Sequence, residues 1–201
     1  MTAVLRDGPI DAAATIVLAH GAGSGMLHPF LERMAHGFAA AGFAVVRFEF
    51  PYRAAGRSMP DRMDVLQAAM RDIVATNAKG PLVLAGKSMG GRVATMLGDE
   101  LAARALVVFG YPFHPPAKPQ QLRTAHLAGL RTPTLIVQGE RDEFGTPDEV
   151  ATYTLSASIT LHWLRDGDHS FKPRKASGCT AAQHEATALQ LAVQFARAHL
   201  G

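Results

Sequence analysis

Residues 81–91 read PLVLAGKSMGG, and the parsing of that stretch decides the fold. Pro81 to Ala85 make a short apolar run of the kind found in a buried strand, and a helical pattern begins after Gly90. Between them lies Gly86-Lys87-Ser88-Met89-Gly90, a G-x-S-x-G pattern set where strand passes into helix. Such a turn is sharp enough to strain the backbone of its central residue. Its neighbours two positions away on either side must therefore lack a Cβ for strand and helix to approach. The turn lifts the Ser88 hydroxyl clear of the sheet and points the Met89 amide into the same space. A rival parsing, a phosphate-binding loop G-x-x-x-x-G-K-S ending at Ser88, fails on its first glycine. Pro81 stands where glycine is needed, Gly80 is one residue early, and Leu82, Val83, Leu84 and Ala85 make a strand in place of an anion cradle.

Working outward, the chain alternates strands and helices. Strands are expected at Thr15–Ala19, Phe43–Phe50, Ala105–Phe109, Thr134–Val137 and Ile159–Leu164, besides the run at 81–85. Helices are expected at His28–Ala41 (stopped by Gly42), from Pro60-Asp61 with Met63, Leu66, Met70, Ile73 and Val74 on one face, at Met89–Ala103 and at Thr146–Thr154. A C-terminal amphipathic helix carries Leu189, Val193, Ala196 and Leu200. Pro51–Pro60 and Gly110–Pro119 read as loops. The alternation predicts an α/β protein with a mainly parallel central sheet covered by helices on both faces, as one domain over residues 1–201. Ligands of such sheets bind outside the carboxyl ends of the strands. No insertion is long enough for a substantial lid, and Gly110–Leu130 is the one candidate for a partial cover.

Composition narrows the function classes. The 48% hydrophobic content over 201 residues supports one sizeable core. No apolar run approaches the roughly 18 residues of a membrane span, and the first residues, Met1 to Ala14, lack the apolar segment of a signal peptide. The single cysteine, Cys179, excludes an internal disulfide and fits a reducing compartment, so a cytoplasmic location is expected. Net charge is +3, with Lys and Arg scattered and not interleaved with aromatics; no nucleic-acid groove is expected, while a small anionic substrate fits.

A serine hydroxyl is a weak nucleophile until a base takes its proton and a carboxylate orients that base. Asp142 follows the strand at 134–137, within Gln138-Gly139-Glu140-Arg141-Asp142. His169 follows the last strand, within Asp166-Gly167-Asp168-His169-Ser170-Phe171. Three strand ends thus deliver Ser88, Asp142 and His169 in that chain order, which is more specific than any one motif. Glu140 and Asp168 are neighbouring alternatives, read as solvated or structural. The other eight of the nine histidines show no metal-ligand spacing, so no metal and no cofactor are expected. Charge developing on a substrate carbonyl needs fixed donors. The His20-Gly21-Ala22-Gly23 loop supplies the Ala22 N–H to pair with that of Met89, with Gly23 as the alternative donor and His20 as a brace.

With these segments assembled, the chain resembles the α/β-hydrolase superfamily over nearly its whole length. More narrowly it is similar to the small, capless, dienelactone-hydrolase-related branch, which includes bacterial predicted hydrolases and the hydrolase-like domains of testis-expressed and NSL-complex-subunit proteins. The segments FEFPYRAAGRSMPDR (48–62), GYPFHPPAKPQQLRTAHL (110–127) and GDHSFKPRKASG (167–178) carry the closer match. The resemblance implies a Ser–Asp–His hydrolase fold and a branch of poorly defined substrates, some of whose eukaryotic members look like complex subunits. In those segments Tyr52, Arg53, Arg57, His114, Lys172 and Arg174 are expected near the mouth of the site, as anion-holding groups or as ordinary solvated loop charges. Phe113, Phe144 and Phe171 are expected to wall the site or pack its loops.

The resulting expectation is a serine hydrolase, monomer or homodimer, acting on a small ester, thioester or lactone. The alternative is a non-catalytic interaction module that keeps the fold.

Overall fold

A computed structural model describes residues 3–200; the outermost positions of the 1–201 domain expectation, 1, 2 and 201, lie outside the described residues. Seven strands form one sheet: β1 (Val4–Asp7), β2 (Thr15–Ala19), β3 (Ala44–Phe48), β4 (Leu82–Lys87), β5 (Ala105–Phe109), β6 (Thr134–Gly139) and β7 (Ile159–Leu164). Their spatial order is β1-β3-β2-β4-β5-β6-β7. All neighbours are parallel except β1, which runs antiparallel to β3. The helices are α1 (Pro29–Ala40), α2 (Pro51–Ala54), α3 (Met63–Asn77), α4 (Met89–Leu97), α5 (Pro147–Val150) and α6 (Ala181–Ala198).

Side chains alternate faces along each strand, so the central strands feed two separate cores. Leu82 and Leu84, with Val17, Val46, Leu106 and Ile136, pack under α3 and α4. Val83 and Ala85, with Ile16, Leu18, Val45, Val107 and Val137, pack under α1 and α6. A sheet buried on both faces explains why these strands read as continuous apolar runs without a polar alternate.

Several elements differ from expectation. The edge strand β1 has no apolar signature; Arg47 on β3 ties it down with two hydrogen bonds to Asp7, at 2.9 and 3.0 Å. The strand expected at 43–50 is shorter. The chain after Phe48 instead makes the one-turn helix α2, which Pro51 opens at its first position, where a missing N–H costs nothing. Helix α4 stops at Leu97 and not at Ala103, and Ala102 adopts φ 49° as the chain turns into β5. The helix expected at 146–154 is a single turn, held at its start by a capping box between Thr146 and Glu149. On α6 the buried row is His184, Ala188, Ala192 and Ala196, while Leu189 and Val193 pack at its margins and Leu200 packs just past its end. Small side chains in that row let the helix lie close to the sheet.

Candidate active site

The carboxyl ends of β4, β6 and β7 bring Ser88, Asp142 and His169 together. Ser88 sits between β4 and α4 at φ 51° and ψ −114°, a strained conformation for a residue with a Cβ. Its N–H donates to the Phe109 carbonyl at 3.0 Å, and its carbonyl accepts from Arg92 N–H at 2.9 Å. A Cβ on Gly86 would stand 2.4 Å from the Gly90 carbonyl carbon, and one on Gly90 would stand 2.6 Å from the carbonyl oxygens of Ala19 and His20. Both are backbone contacts that have no room to give, so the turn admits only glycine at these two places.

The hydrogen-bond line is continuous. His169 Nε2 lies 2.9 Å from Ser88 Oγ, and His169 Nδ1 lies 2.7 Å from Asp142 Oδ2. A carboxylate accepts only, so Nδ1 carries the proton and Nε2 is left to accept from the serine hydroxyl. Asp142 is fully buried. Its Oδ2 also accepts from Gln138 Nε2 at 2.9 Å, and its Oδ1 from Phe144 N–H at 2.9 Å. The Phe144 ring lies against the His169 imidazole with centroids 4.2 Å apart. Burial pushes His169 below its ordinary value; the Asp142 hydrogen bond opposes that shift, and the Lys87 charge adds to it. The site therefore favours a neutral imidazole, ready to take a proton.

The loop carrying His169 is held by carboxylates. Asp168 Oδ1 accepts from the N–H groups of Ser170 and Lys172, and Glu140 Oε2 accepts from Asp166 N–H. Asp166 is paired with Arg174. Lys87 donates to the His169 carbonyl at 2.6 Å, with its Nζ 5.4 Å from the Phe171 ring centre. Burial pushes the Lys87 ammonium down to about 8, against the favourable charges of Asp142 and Asp168.

The loop after β2 lies beside Ser88. Phe50 N–H donates to His20 Nε2 at 3.1 Å, so Nδ1 bears the His20 proton and donates to the Gly21 carbonyl at 2.8 Å. Burial lowers His20 further from protonation. Met89 is the first residue of α4, where a backbone N–H has no acceptor within the helix. Ala22 and Met89 both border the cavity that contains Ser88 and His169; Gly23 does not.

That cavity has a volume of about 760 Å³, in the range of small-molecule sites. Phe30, Leu31, Met63 and Leu66 give it an apolar wall. Of the residues expected near its mouth, Phe144 and Lys172 line it. Tyr52, Arg53 and His114 do not. Tyr52 turns into the core beside the His20 ring, at a centroid distance of 5.9 Å. His114 is buried, with Nδ1 2.9 Å from the Pro115 carbonyl and Nε2 3.5 Å from Glu149. Arg57 and Arg174 are paired with Asp61 and Asp166. Phe113 and Phe171 are buried packing residues. Sequence reasoning missed Lys87, Arg92, Arg123 and Gln138. A lysine just before the elbow serine, an arginine four residues after it, and a glutamine ending an apolar strand were the available signals; Arg123 had none. Among the described residues, no group of three or more His, Cys, Asp or Glu side chains is placed to hold a metal ion, and no helix is long and apolar enough to cross a membrane.

A family model described as an alpha/beta hydrolase domain matches residues 12–197. Among solved structures, an alpha-beta serine hydrolase homologue from Coxiella burnetii superposes with a TM-score of 0.72 at 17% identity, covering 96% of this chain and 89% of its own. A lidless a/b serine hydrolase from Xanthomonas campestris gives 0.69 at 22% identity, covering 95% and 87%. An esterase domain from a Rhodothermus marinus protein gives 0.70 at 18% identity, covering 98% and 92%. At these identities the likeness is one of fold.

Proposed function

The chain belongs to the α/β-hydrolase domain family, and from that premise we propose that it is a serine hydrolase cleaving small esters, thioesters or lactones through a covalent acyl-enzyme. The line of hydrogen bonds from Asp142 through His169 to Ser88 carries this reading. Ser88 Oγ attacks the substrate carbonyl as its proton passes to His169 Nε2. The carbonyl oxygen becomes an oxyanion, which the N–H groups of Met89 and Ala22 receive, with Gly23 as the alternative donor. Asp142 holds the imidazole tautomer and stabilises the imidazolium. The oxyanion collapses, the carbon–heteroatom bond breaks, and His169 returns the proton to the departing alcohol or thiol. Water then gives its proton to His169 and attacks the acyl carbon, and a second collapse releases the acid and restores Ser88. Every proton in the cycle is carried by the protein's own side chains, and no cofactor is invoked.

Turnover of p-nitrophenyl acetate and of a short-chain acyl thioester, by wild type and Ser88→Ala, tests the reading. Hydrolysis by wild type that falls about 10³-fold or more in the variant is expected. Equal rates in the two proteins would leave a hydrolase fold used without its serine, as in an interaction module.

A further inference from the structure

Three arginines that this chemistry does not use line the same cavity as Ser88; Arg33 is paired with Glu185, which leaves Arg92 and Arg123. Arg92 stands one helical turn beyond Ser88 on α4. Arg123 enters from the excursion between β5 and β6, where its backbone is pinned at both groups. Its N–H donates to the Phe113 carbonyl at 2.7 Å, and its carbonyl accepts from the Tyr111 hydroxyl at 2.8 Å. Both side chains are partly buried. The Arg92 Nε is sealed from solvent and has no hydrogen-bond partner among the described residues.

Neither guanidinium has a carboxylate oxygen within 4.0 Å among the described residues. Each of the two carboxylates on the cavity wall has another arginine as partner: Glu185 takes two bonds from Arg33, at 2.5 and 2.8 Å, and Asp61 Oδ1 takes one from Arg57 at 2.7 Å, its buried Oδ2 having no hydrogen-bond partner among the described residues. The groups around Arg92 are neutral or cationic. Burial and the Arg92 charge hold His126 down to about 4, and burial keeps the Tyr111 phenol protonated. Burial, then the charge of Arg92, lowers the Arg123 guanidinium from its ordinary value. Like charges set together in a partly desolvated wall repel, and buried polar atoms are normally paired. Planar guanidinium groups satisfy that deficit best with a carboxylate or phosphate, which each can grip through two parallel N–H groups.

We propose that Arg92 and Arg123 form an oxyanion subsite, so that the substrate is a small ester, thioester or lactone bearing a carboxylate or phosphate beyond its scissile carbonyl. This rests on the serine-hydrolase reading and names the substrate class for it.

The test compares mono-p-nitrophenyl glutarate with p-nitrophenyl valerate, which differ chiefly by a terminal carboxylate. Wild type, Arg92→Met, Arg123→Met and Arg92→Lys are each assayed for kcat/KM, with melting temperature as the folding control. Wild type favours the glutarate ester, and each methionine substitution lowers the glutarate-to-valerate ratio about tenfold to a hundredfold. Arg92→Lys retains part of the ratio. A ratio changed less than twofold in both methionine variants overturns the proposal while leaving the hydrolase reading intact. If wild type hydrolyses neither ester, the hydrolase reading fails, and calorimetric titration with glutarate and with inorganic phosphate reads the subsite directly. Binding that both methionine variants lose supports the subsite, and the better of the two ligands identifies the oxyanion. Absence of binding overturns it.

Discussion

Gln138→Leu separates the support of the candidate site from its chemistry. Gln138 is fully buried, and its amide faces three sides of the site. Its Oε1 accepts from Tyr111 N–H at 2.7 Å, which fixes the orientation of the amide. Its Nε2 donates to Asp142 Oδ2 at 2.9 Å and to the Tyr111 and Gly145 carbonyls at 3.1 and 3.3 Å. Leucine fills nearly the same volume with no polar atom. The Tyr111 carbonyl keeps its bond from Phe113 N–H at 3.1 Å, but the buried Tyr111 N–H is orphaned. That orphan costs about 1–3 kcal/mol, and the lost bond to the carboxylate about 1.5–3 kcal/mol more. Burying leucine in place of an amide offsets about 1 kcal/mol. The net loss of about 2–5 kcal/mol lowers the melting temperature by about 4–20 °C in a chain of this size. Asp142 then has one donor fewer competing with His169, so the acid limb of the kcat/KM profile moves to higher pH. Scanning calorimetry and a pH–rate profile check the two parts. A melting temperature within about 1 °C of wild type, with an unmoved acid limb, refutes the hydrogen-bond ledger.

Three further outcomes follow from the same geometry. The wild-type acid limb of kcat/KM lies below pH 6.5, because burial first and the Lys87 charge next both lower His169; Lys87→Met removes the second contribution and shifts the limb upward, whereas an unshifted limb contradicts the placement of that charge. Gly86→Ala puts a methyl within 2.4 Å of the Gly90 backbone, so a loss of about 3 kcal/mol or more, together with turnover, is expected in thermal melts and ester assays; a stable, active variant contradicts the elbow geometry. Burial first, and the Arg92 charge next, hold the folded His126 down to about 4 from an ordinary value of 6.5, so the unfolded chain takes up the proton first and stability falls as pH drops from 6.5 towards 4. His126→Gln removes that part of the decline, and melting curves at pH 7 and 4.5 that fall equally in variant and wild type contradict it.

Much of this architecture was legible because a sheet covered on both faces leaves one signature, the uninterrupted apolar run. Thr15–Ala19 and Ala105–Phe109 match their observed bounds for that reason. The edge strand Val4–Asp7 was not legible, since its stability comes from pairing with β3 and from Arg47, which is distant in sequence. Ser88, Asp142 and His169 could be picked out because each lies just past a recognisable strand end. The cavity lining was harder to read. The distinctive composition of 48–62 and 110–127 drew attention to Tyr52 and His114, yet both are buried for packing and local hydrogen bonds. Arg92 and Arg123 emerge only once the excursion after β5 folds back to the first turn of α4. Periodicity carries no signal for a charge that lacks its partner.

The most direct measurement is fluorophosphonate labelling at pH 8, with mass spectrometry of the modified peptide, on wild type, Ser88→Ala and Asp142→Asn. The expected result is a single adduct on Ser88, absent in the alanine variant and formed more slowly in the asparagine variant. Folded wild-type protein that takes up no label, or carries it at another residue, would contradict an activated Ser88.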